Sequence, residues 1–450
     1  MKNTIYLMLL LILASFNTTK ETIIISGKIT NTENGKISIK GESFDKKIKL
    51  KADGSFLENL VIEYDGLYTI ETTKNSYSIY LSSGSKLIIN ADDNNFNSSL
   101  KYTGKGSVEN QYIAKKSIIT SAITVEELYK LDENEFLKKL NEIKGLITDL
   151  YKKTKFTNTY FKEKEVINIH YLEQKYLFFY KIQHPGYAGL NGFEVSEKYP
   201  KFDKTIDVDN DSDFLFSNEY KEFVLYKFYE NIKGDGTSFF ISARDAIPEI
   251  RALKSQNIKN RLIQNSISDI GIENANYEKT YNDFLSIVTY PKLKESLTTN
   301  YNITKALNCG NPSPKFDYIN QKGEKTSLES LKGKYIYIDI WATWCGPCRE
   351  EIPFLQKVEK QYQGKNIEFV SISIDALKDQ EKWSKFVIEK QLGGIQLLAD
   401  NEWQSQFMKE YTIQEVPTFI LIDPNGNIIS ARAPRPSDTK LIDLFNSLKI

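Results

Sequence analysis

Cysteine and histidine are scarce in this sequence of 450 residues, which contains three cysteines and two histidines. Three cysteines cannot build a network of structural disulfides. No second cysteine pair is present to complete a zinc site, and His170 and His184 lack the spacing of metal ligands. The sequence therefore predicts no metal site.

An excess of either charge is also missing, because lysine plus arginine and aspartate plus glutamate both total 59. Without a strong net field, the chain is not expected to bind nucleic acid. A local group of aspartates occurs at alternate positions: Asp207, Asp209, Asp211 and Asp213. An EF-hand loop needs a glycine and a terminal glutamate that this segment does not supply, so we interpret it as a solvated acidic loop.

The apolar run at residues 5–14 is too short to span a bilayer comfortably. It follows a short cationic end and predicts a secretory signal peptide over residues 1–20. No cysteine precedes Cys309, so an N-terminal lipidated cysteine is not expected. We predict an exported protein, periplasmic or otherwise extracytoplasmic, that is not a lipoprotein. Cys309 is interpreted as a simple unpaired thiol.

The most informative motif is Cys345, Gly346, Pro347 and Cys348, preceded by Trp344. Residues three apart in the first turn of a helix lie on one face, close enough for a disulfide. A cysteine at a helix N-terminus is favoured as the thiolate, and proline is tolerated in the first turn. The motif predicts reversible disulfide chemistry, with the cysteine pair itself as the redox group and no other cofactor.

Two acidic residues flank this motif. Asp339 interrupts the apolar strand predicted over residues 335–341, where burial raises a carboxyl pKa. It is interpreted as a proton acceptor for Cys348, the alternative being a solvated carboxylate near the strand end. Glu351 lies one helical turn after Cys348, and two interpretations stay open: it tunes that thiol, or it belongs to a solvated helix face.

Four segments carry a family resemblance: 310–316, 327–334, 341–353 and 416–418. Together they resemble the thioredoxin superfamily, and within it the extracytoplasmic TlpA/ResA-like branch that shares the redoxin pattern with peroxiredoxins. The resemblance implies that Cys345 attacks a substrate disulfide and Cys348 resolves the mixed disulfide. It also implies a cis peptide at Pro417 and a substrate-binding surface formed by Trp344, Gly346, Pro347, Val416 and Pro417.

The acidic residues match different relatives. Asp339 matches the buried acid of cytosolic thioredoxins, whereas Glu351 matches the acid that TlpA/ResA-like proteins place after the second cysteine. The resemblance thus implies that Asp339 or Glu351 transfers a proton or tunes the pKa of a cysteine.

The remaining chain changes its hydrophobic period twice. Short alternating segments separated by turns predict an antiparallel β-sandwich over residues 21–104, which resembles the DUF4369 domain. Helical periodicity predicts a mainly α-helical region over residues 105–307, and the family resemblance implies a thioredoxin-like α/β domain over residues 308–450. The predicted fold class is therefore a multidomain protein with these three parts.

We predict an exported thiol-disulfide oxidoreductase that reduces disulfides of extracytoplasmic proteins, apocytochrome c among the candidates. Its partners would be those exported proteins and a membrane thiol-disulfide electron donor. The alternatives are a thiol peroxidase of the redoxin type and a ligand- or peptide-binding protein in which the dithiol is only a switch.

Overall fold

The computed structural model describes residues 22–233 and 242–450. These residues form two compact units. The first unit contains the described residues up to 233 together with Pro248–Leu262, and the second contains Ser242–Ile247 and Ile263–Ile450. The predicted signal peptide lies outside the described residues. None of the described helices has the length and apolar character needed to cross a membrane.

The first unit begins with strands whose inward side chains alternate with outward ones, as a half-buried strand requires. The strands are β1 (Ile23–Thr30), β2 (Lys36–Lys40), β3 (Asp45–Lys49), β4 (Ser55–Leu60), β5 (Gly66–Glu71), β6 (Ser76–Leu81), β7 (Lys86–Asp92) and β8 (Lys101–Lys105). They form two four-stranded sheets, β4-β1-β7-β8 and β3-β2-β5-β6. One apolar core contains residues of both sheets, such as Ile25, Ile39, Ile70 and Ile89. The predicted sandwich is therefore confirmed.

The sandwich differs from the prediction in one strand pair. β1 and β7 run parallel, with Ser26 opposite Ile88, whereas the other strand pairs within the two sheets are antiparallel. Alternation of apolar residues is the same for both directions of pairing, so the sequence pattern could not distinguish them.

A short helix, α1 (Phe96–Ser99), lies between β7 and β8, and the other helices follow the sandwich, as predicted from the change of period. They are α2 (Ser107–Thr120), α3 (Val125–Lys130), α4 (Glu133–Lys153), α5 (Thr159–Ala188), α6 (Asp211–Phe216), α7 (Asn218–Lys233), α8 (Ile247–Ala252) and α9 (Gln256–Asn265). α4 shows why they form. The side chain of Asp132 caps its first turn, and its buried stripe consists of Phe136, Leu140, Ile143 and Ile147.

Charged side chains are buried among these helices, and they are paired. Lys116 lies 2.8 Å from Glu165 and 3.1 Å from Glu219. Glu165 also accepts hydrogen bonds from Tyr112 and Asn168. Each buried charge here therefore has an opposite charge or a hydrogen-bond donor beside it.

The interpretation of residues 207–213 as a solvated acidic loop holds for Asp207, which is exposed, and is wrong for the end of the segment. Asp213 is buried and accepts bonds from Lys164 and Tyr171, while Asp209 accepts from the backbone N–H groups of Lys254 and Ser255. The acidic spacing by itself could not reveal these partners, because they lie far along the chain.

The second unit is built around one sheet. Its strands are β9 (Asp317–Asn320), β10 (Lys325–Ser327), β11 (Tyr335–Trp341), β12 (Ile367–Ser373), β13 (Ile395–Leu398), β14 (Thr418–Ile422) and β15 (Ile428–Ser430). Their order is β10-β9-β13-β12-β11-β14-β15. β11 pairs parallel to β12 and antiparallel to β14, so it lies inside the sheet.

The helices of this unit are α10 (Tyr277–Ile287), α11 (Pro291–Ala306), α12 (Gly346–Gln361), α13 (Gln380–Glu389), α14 (Gln406–Glu410) and α15 (Lys440–Ser447). All of them except α10 contribute residues to the apolar clusters that contain the strands of the sheet. Alternate residues of β11 enter different apolar clusters: Ile338 and Ile340 lie in one, and Tyr337 lies in the other. The second cluster includes Leu355 and Val358 of α12. Helix α12 therefore packs on the Tyr337 face of β11, and the multidomain fold class is confirmed.

Candidate functional site

Cys345 lies where strand β11 gives way to helix α12. It is the N-cap residue of that helix, and the backbone N–H of Cys348 donates to its sulfur at 3.1 Å. The two cysteines form a disulfide with a Cα–Cα distance of 5.3 Å. Pro347 occupies the first turn, where its missing N–H leaves no partner unsatisfied. The local sequence thus places both sulfurs at the positive end of the helix dipole.

The disulfide is nearly covered, since Cys345 and Cys348 are each 4% exposed. Trp344 beside it is 54% exposed and faces Trp403 at a ring-centroid distance of 6.5 Å. Gly346 is partly exposed and Pro347 is exposed. The disulfide therefore lies at the edge of an accessible surface that includes three predicted substrate-binding residues.

A second loop approaches the disulfide from the start of β14. The carbonyl oxygen of Val416 lies 3.6 Å from the sulfur of Cys345. The peptide bond between Val416 and Pro417 is cis, as predicted. The structure thus brings the cysteine motif and the Val416–Pro417 dipeptide together, although the chain separates them by about seventy residues.

The loop that carries Cys345 is held by a buried carboxylate that the sequence analysis did not identify. Asp375 accepts hydrogen bonds from the backbone N–H of Thr343 at 2.9 Å and from its hydroxyl at 2.7 Å. The hydroxyl of Ser373 donates to the same carboxylate at 2.6 Å. Charge-assisted bonds of this kind are strong, so Asp375 fixes the backbone two residues before Cys345.

Asp339 lies on the face of β11 that α12 covers, because it alternates with Ile338 and Ile340. Its Oδ1 atom is buried and has no hydrogen-bond partner. Burial, together with the negative charges of Glu359 and Glu351, raises the pKa of Asp339 to about 8. The direction agrees with the sequence argument, and the carboxyl group can hold a proton near neutral pH.

Glu351 is held in a different way. Its carboxylate accepts bonds from the backbone N–H of Ser437 at 3.0 Å and from the Ser437 hydroxyl at 2.7 Å. It is therefore tied to the segment before α15, and it also contributes a negative charge near Asp339.

Glu359 is an acid that the sequence analysis missed. It lies on α12, is partly buried, and adds its charge to the field at Asp339. One sequence feature could have identified it as a partly buried acid: it lies in the apolar stripe of the helix, one residue after Val358 and three before Tyr362.

The two histidines have structural environments. The Nδ1 atom of His184 lies 2.7 Å from the carbonyl oxygen of Tyr129, and the Nε2 atom of His170 lies 3.0 Å from Asp203. Among residues 22–233 and 242–450, no group of three or more histidine, cysteine or acidic side chains could hold a metal ion.

Comparison with known proteins locates the similarity in the same unit. The AhpC/TSA family model matches residues 309–431. The thiol-disulfide oxidoreductase ResA of Bacillus subtilis is 23% identical over 147 residues, 32% of this chain and 78% of that protein. The thioredoxin-like protein YneN of Bacillus subtilis is 30% identical over 119 residues, 26% of this chain and 68% of that protein.

A solution structure from Bacteroides vulgatus, assigned to the thiol-disulfide oxidoreductases, is 50% identical. It covers 32% of this chain and 93% of that chain, with a TM-score of 0.29.

Proposed function

Because the chain belongs to the ResA/TlpA-like branch of the thioredoxin superfamily and is a thiol-disulfide oxidoreductase, we propose that it reduces disulfides of exported proteins. The observation that carries this proposal is the disulfide between Cys345 and Cys348 at the start of α12, with the Val416 carbonyl beside it. A membrane thiol-disulfide donor would return the disulfide to the dithiol.

The reaction starts from the dithiol. The Cys345 thiolate attacks one sulfur of the substrate disulfide, and the other substrate sulfur leaves and takes a proton. Cys348 then loses its proton and attacks Cys345, so the internal disulfide forms and the bond to the substrate breaks. Two electrons pass from the dithiol to the substrate, which leaves as two thiols.

The residues around the disulfide have distinct roles in this proposal. Backbone N–H groups at the start of α12 stabilise the Cys345 thiolate. Val416 offers its backbone to an extended substrate segment, and Trp344, Gly346 and Pro347 form the exposed surface beside it. Asp339 accepts the proton of Cys348, since it is the acid with the raised pKa on the face below α12.

Trapping of covalent partners tests the proposal. A full-length Cys348→Ser variant should keep substrates attached to Cys345, because the resolving thiol is gone, and mass spectrometry of the mixed disulfides should identify exported proteins. The matched control is the double variant Cys345→Ser, Cys348→Ser, which should trap nothing. An empty trap in the native compartment contradicts the proposal.

The peroxidase alternative requires a different hydrogen-bond partner for the hydroxyl group of Thr343. A peroxidatic cysteine needs a nearby hydroxyl that can donate to peroxide, whereas the Thr343 hydroxyl donates to Asp375. We therefore expect insulin disulfides to be reduced faster than peroxide is consumed. Faster consumption of peroxide by the purified protein would favour the alternative.

Export is proposed from residues 1–20, which precede the described structure. Fractionation of cells that produce the full chain should find the protein outside the cytoplasm and shortened at its N-terminus. Recovery of the uncleaved chain from the cytoplasm would contradict export while leaving the redox reaction intact.

A further inference from the structure

Strand β6 forms one edge of the sheet β3-β2-β5-β6 in the first unit. On one side it pairs antiparallel with β5, and Tyr80 lies opposite Leu67. On the other side, the side-chain amide oxygen of Asn110 accepts from the backbone N–H of Tyr80, and the amide nitrogen donates to the Tyr80 carbonyl oxygen, each at 2.9 Å. Asn110 therefore takes the place, at Tyr80, of a residue on a neighbouring strand.

The two preceding positions of the same edge lack such a partner. Residues two apart on a strand direct their backbone groups to the same side, so the N–H and C=O groups of Ser78 and Ser76 face outward like those of Tyr80. In the described part of the chain, neither serine has a hydrogen-bond partner for these outward backbone groups, although the Asn218 amide donates to the Ser78 hydroxyl at 2.9 Å. Unpaired backbone groups on a sheet edge can pair with another chain.

The open edge lines a pocket of about 730 Å³ in the first unit. The lining includes Ser76, Tyr77 and Ser78 of β6 together with residues of α2, α5 and α7. Helix α2 is held on this side of the sandwich, because Gln111 donates to the carbonyl oxygen of Tyr102 in β8 at 2.8 Å. The volume lies in the range of ligand sites, so the pocket has room for a peptide segment beside the edge.

The pocket also carries exposed apolar side chains. Ile118 of α2 is 56% exposed and Val125 of α3 is 51% exposed. Tyr77 of β6 and Tyr176 of α5 add aromatic surface to the same lining. A segment paired with β6 presents its side chains alternately to the two faces of the sheet, and apolar side chains gain free energy by covering such a lining.

The charged groups of the pocket are already paired. Three lysines and three glutamates line it, and each has an opposite charge at 3.5 Å or less: Lys116 with Glu165 and Glu219, Lys175 with Glu222, and Lys74 with Glu33. The lining therefore has no unpaired charge with which to hold a charged small molecule. Recognition falls to the backbone groups of β6 and to the apolar side chains, which favours an extended polypeptide.

We propose that the first unit binds an extended segment of the polypeptide substrate, rich in apolar side chains, as an additional strand along β6. The backbone groups of Ser78 and Ser76 donate to and accept from that segment, in the manner of strand addition to a sheet edge. This inference rests on the proposed function, because it takes the bound polypeptide to be the one whose disulfide the second unit reduces.

Amide hydrogen exchange of the full-length protein tests this pairing. The probe is the S-carboxymethylated B chain of insulin, whose blocked thiols cannot react with the cysteine pair. Without the peptide, the Tyr80 amide should exchange slowly, since it is bonded to Asn110, and the Ser76 and Ser78 amides should exchange rapidly. Peptide at ten times its dissociation constant should slow the two serine amides about tenfold.

Variants of the edge separate the backbone from the side chain. Ser78→Pro removes the outward N–H and keeps the bonds to β5, because proline is tolerated in an edge strand where that group faces away from the sheet. It should raise the dissociation constant of the probe by about 3- to 10-fold. The matched control, Ser78→Ala, loses the hydroxyl and its contact with Asn218 but keeps the N–H, and it should bind like the wild type.

A variant of the pocket leaves the strand untouched. Ser117 is an exposed residue of α2 that lines the same pocket. Ser117→Trp should fill part of the space beside β6 and weaken binding of the probe. This variant tests the proposal even if Ser78→Pro folds poorly.

Unchanged exchange of Ser76 and Ser78 at saturating peptide would overturn the inference, and so would equal affinity of the wild type, Ser78→Pro and Ser117→Trp. Protection confined to the surface around Trp344 and Val416 would also overturn it. If the wild type reduces insulin while β6 stays unprotected, only the binding site on β6 fails. If the wild type reduces no disulfide, the proposed function fails, and exchange in β6 still decides whether this edge binds a polypeptide.

Discussion

The two units treat buried charge in opposite ways. In the first unit, Lys116 lies between Glu165 and Glu219, and Glu165 receives two further hydrogen bonds. In the second unit, Asp339 and Glu359 lie partly or wholly below the surface with no partner for Glu359 and none for one oxygen of Asp339. The first arrangement neutralises charge inside the protein, and the second raises the proton affinity of the acid.

This difference separates structural from chemical roles for the same residue types. A paired buried carboxylate is already satisfied, so changing it should damage the fold and leave the redox step alone. An unpaired buried carboxyl destabilises the fold when ionised, which is a cost that active sites accept. Asp375 shows that the second unit can also satisfy a carboxylate, since three donors reach it.

The largest effect on stability should follow from breaking the buried pair in the first unit. Glu165→Ala leaves Lys116 without its nearest counter-ion and should lower the free energy of unfolding by about 3 to 5 kcal/mol, measured by urea unfolding with circular dichroism. Disulfide reduction by the remaining folded protein should be unchanged. Glu126→Ala, which breaks an exposed pair with Lys130, should change stability little. If Glu165→Ala lost disulfide-reducing activity without losing stability, the structural role of this buried pair would be contradicted.

Asp339→Asn should have the opposite effect and raise the free energy of unfolding at alkaline pH. The pKa of Asp339 is raised from 3.8 to about 8, so the unfolded chain releases this proton at lower pH than the folded chain does. Folding stability therefore falls as pH rises through that interval. The variant should gain about 2 to 5 kcal/mol at alkaline pH and nothing below 3.8, while resolution of the mixed disulfide slows. An equal gain at both ends of the pH range would show that ionisation is not the cause.

Asp375→Asn applies the same chemical change to a satisfied acid. The amide offers one acceptor oxygen where the carboxylate accepts from Thr343 twice and from Ser373 once. We expect a loss of about 1.5 to 3 kcal/mol, measured by thermal unfolding. A higher free energy of unfolding for Asp339→Asn and a lower one for Asp375→Asn would show that the two acids of this unit differ in whether they have hydrogen-bond partners. A higher value for both variants would contradict that difference.

The smallest effect is expected at Cys309, an exposed free cysteine of the second unit. Cys309→Ser should change the free energy of unfolding by less than about 0.5 kcal/mol and leave insulin reduction at its wild-type rate. Slower reduction would mean that a thiol outside the Cys345–Cys348 pair takes part in the reaction.

Much of the second unit could be predicted from local sequence. The cysteine motif, the strand over residues 335–341 and the cis peptide at Pro417 were all identified, because each depends on a short segment or on the family resemblance. Asp339 was identified for the same reason: an acid inside an apolar strand is visible in the sequence.

Features that depend on distant segments could not be predicted. Asp375 acts through Thr343, thirty-two residues earlier, and no motif joins them. Glu359 could be noticed from its position in the apolar stripe of α12, but its proximity to the glycines at 393 and 394 could not be predicted from the sequence. The parallel pairing of β1 with β7 and the partners of Asp213 also arise only when remote residues meet.

The position of Trp344 next to the disulfide has an optical consequence. The chain has four tryptophans, at 341, 344, 383 and 403, and all of them belong to the second unit. Indole emission is quenched by a neighbouring disulfide, so selective excitation of tryptophan should report the oxidation state of this protein without an added label. The same signal is silent for the first unit, whose unfolding must be followed by tyrosine fluorescence.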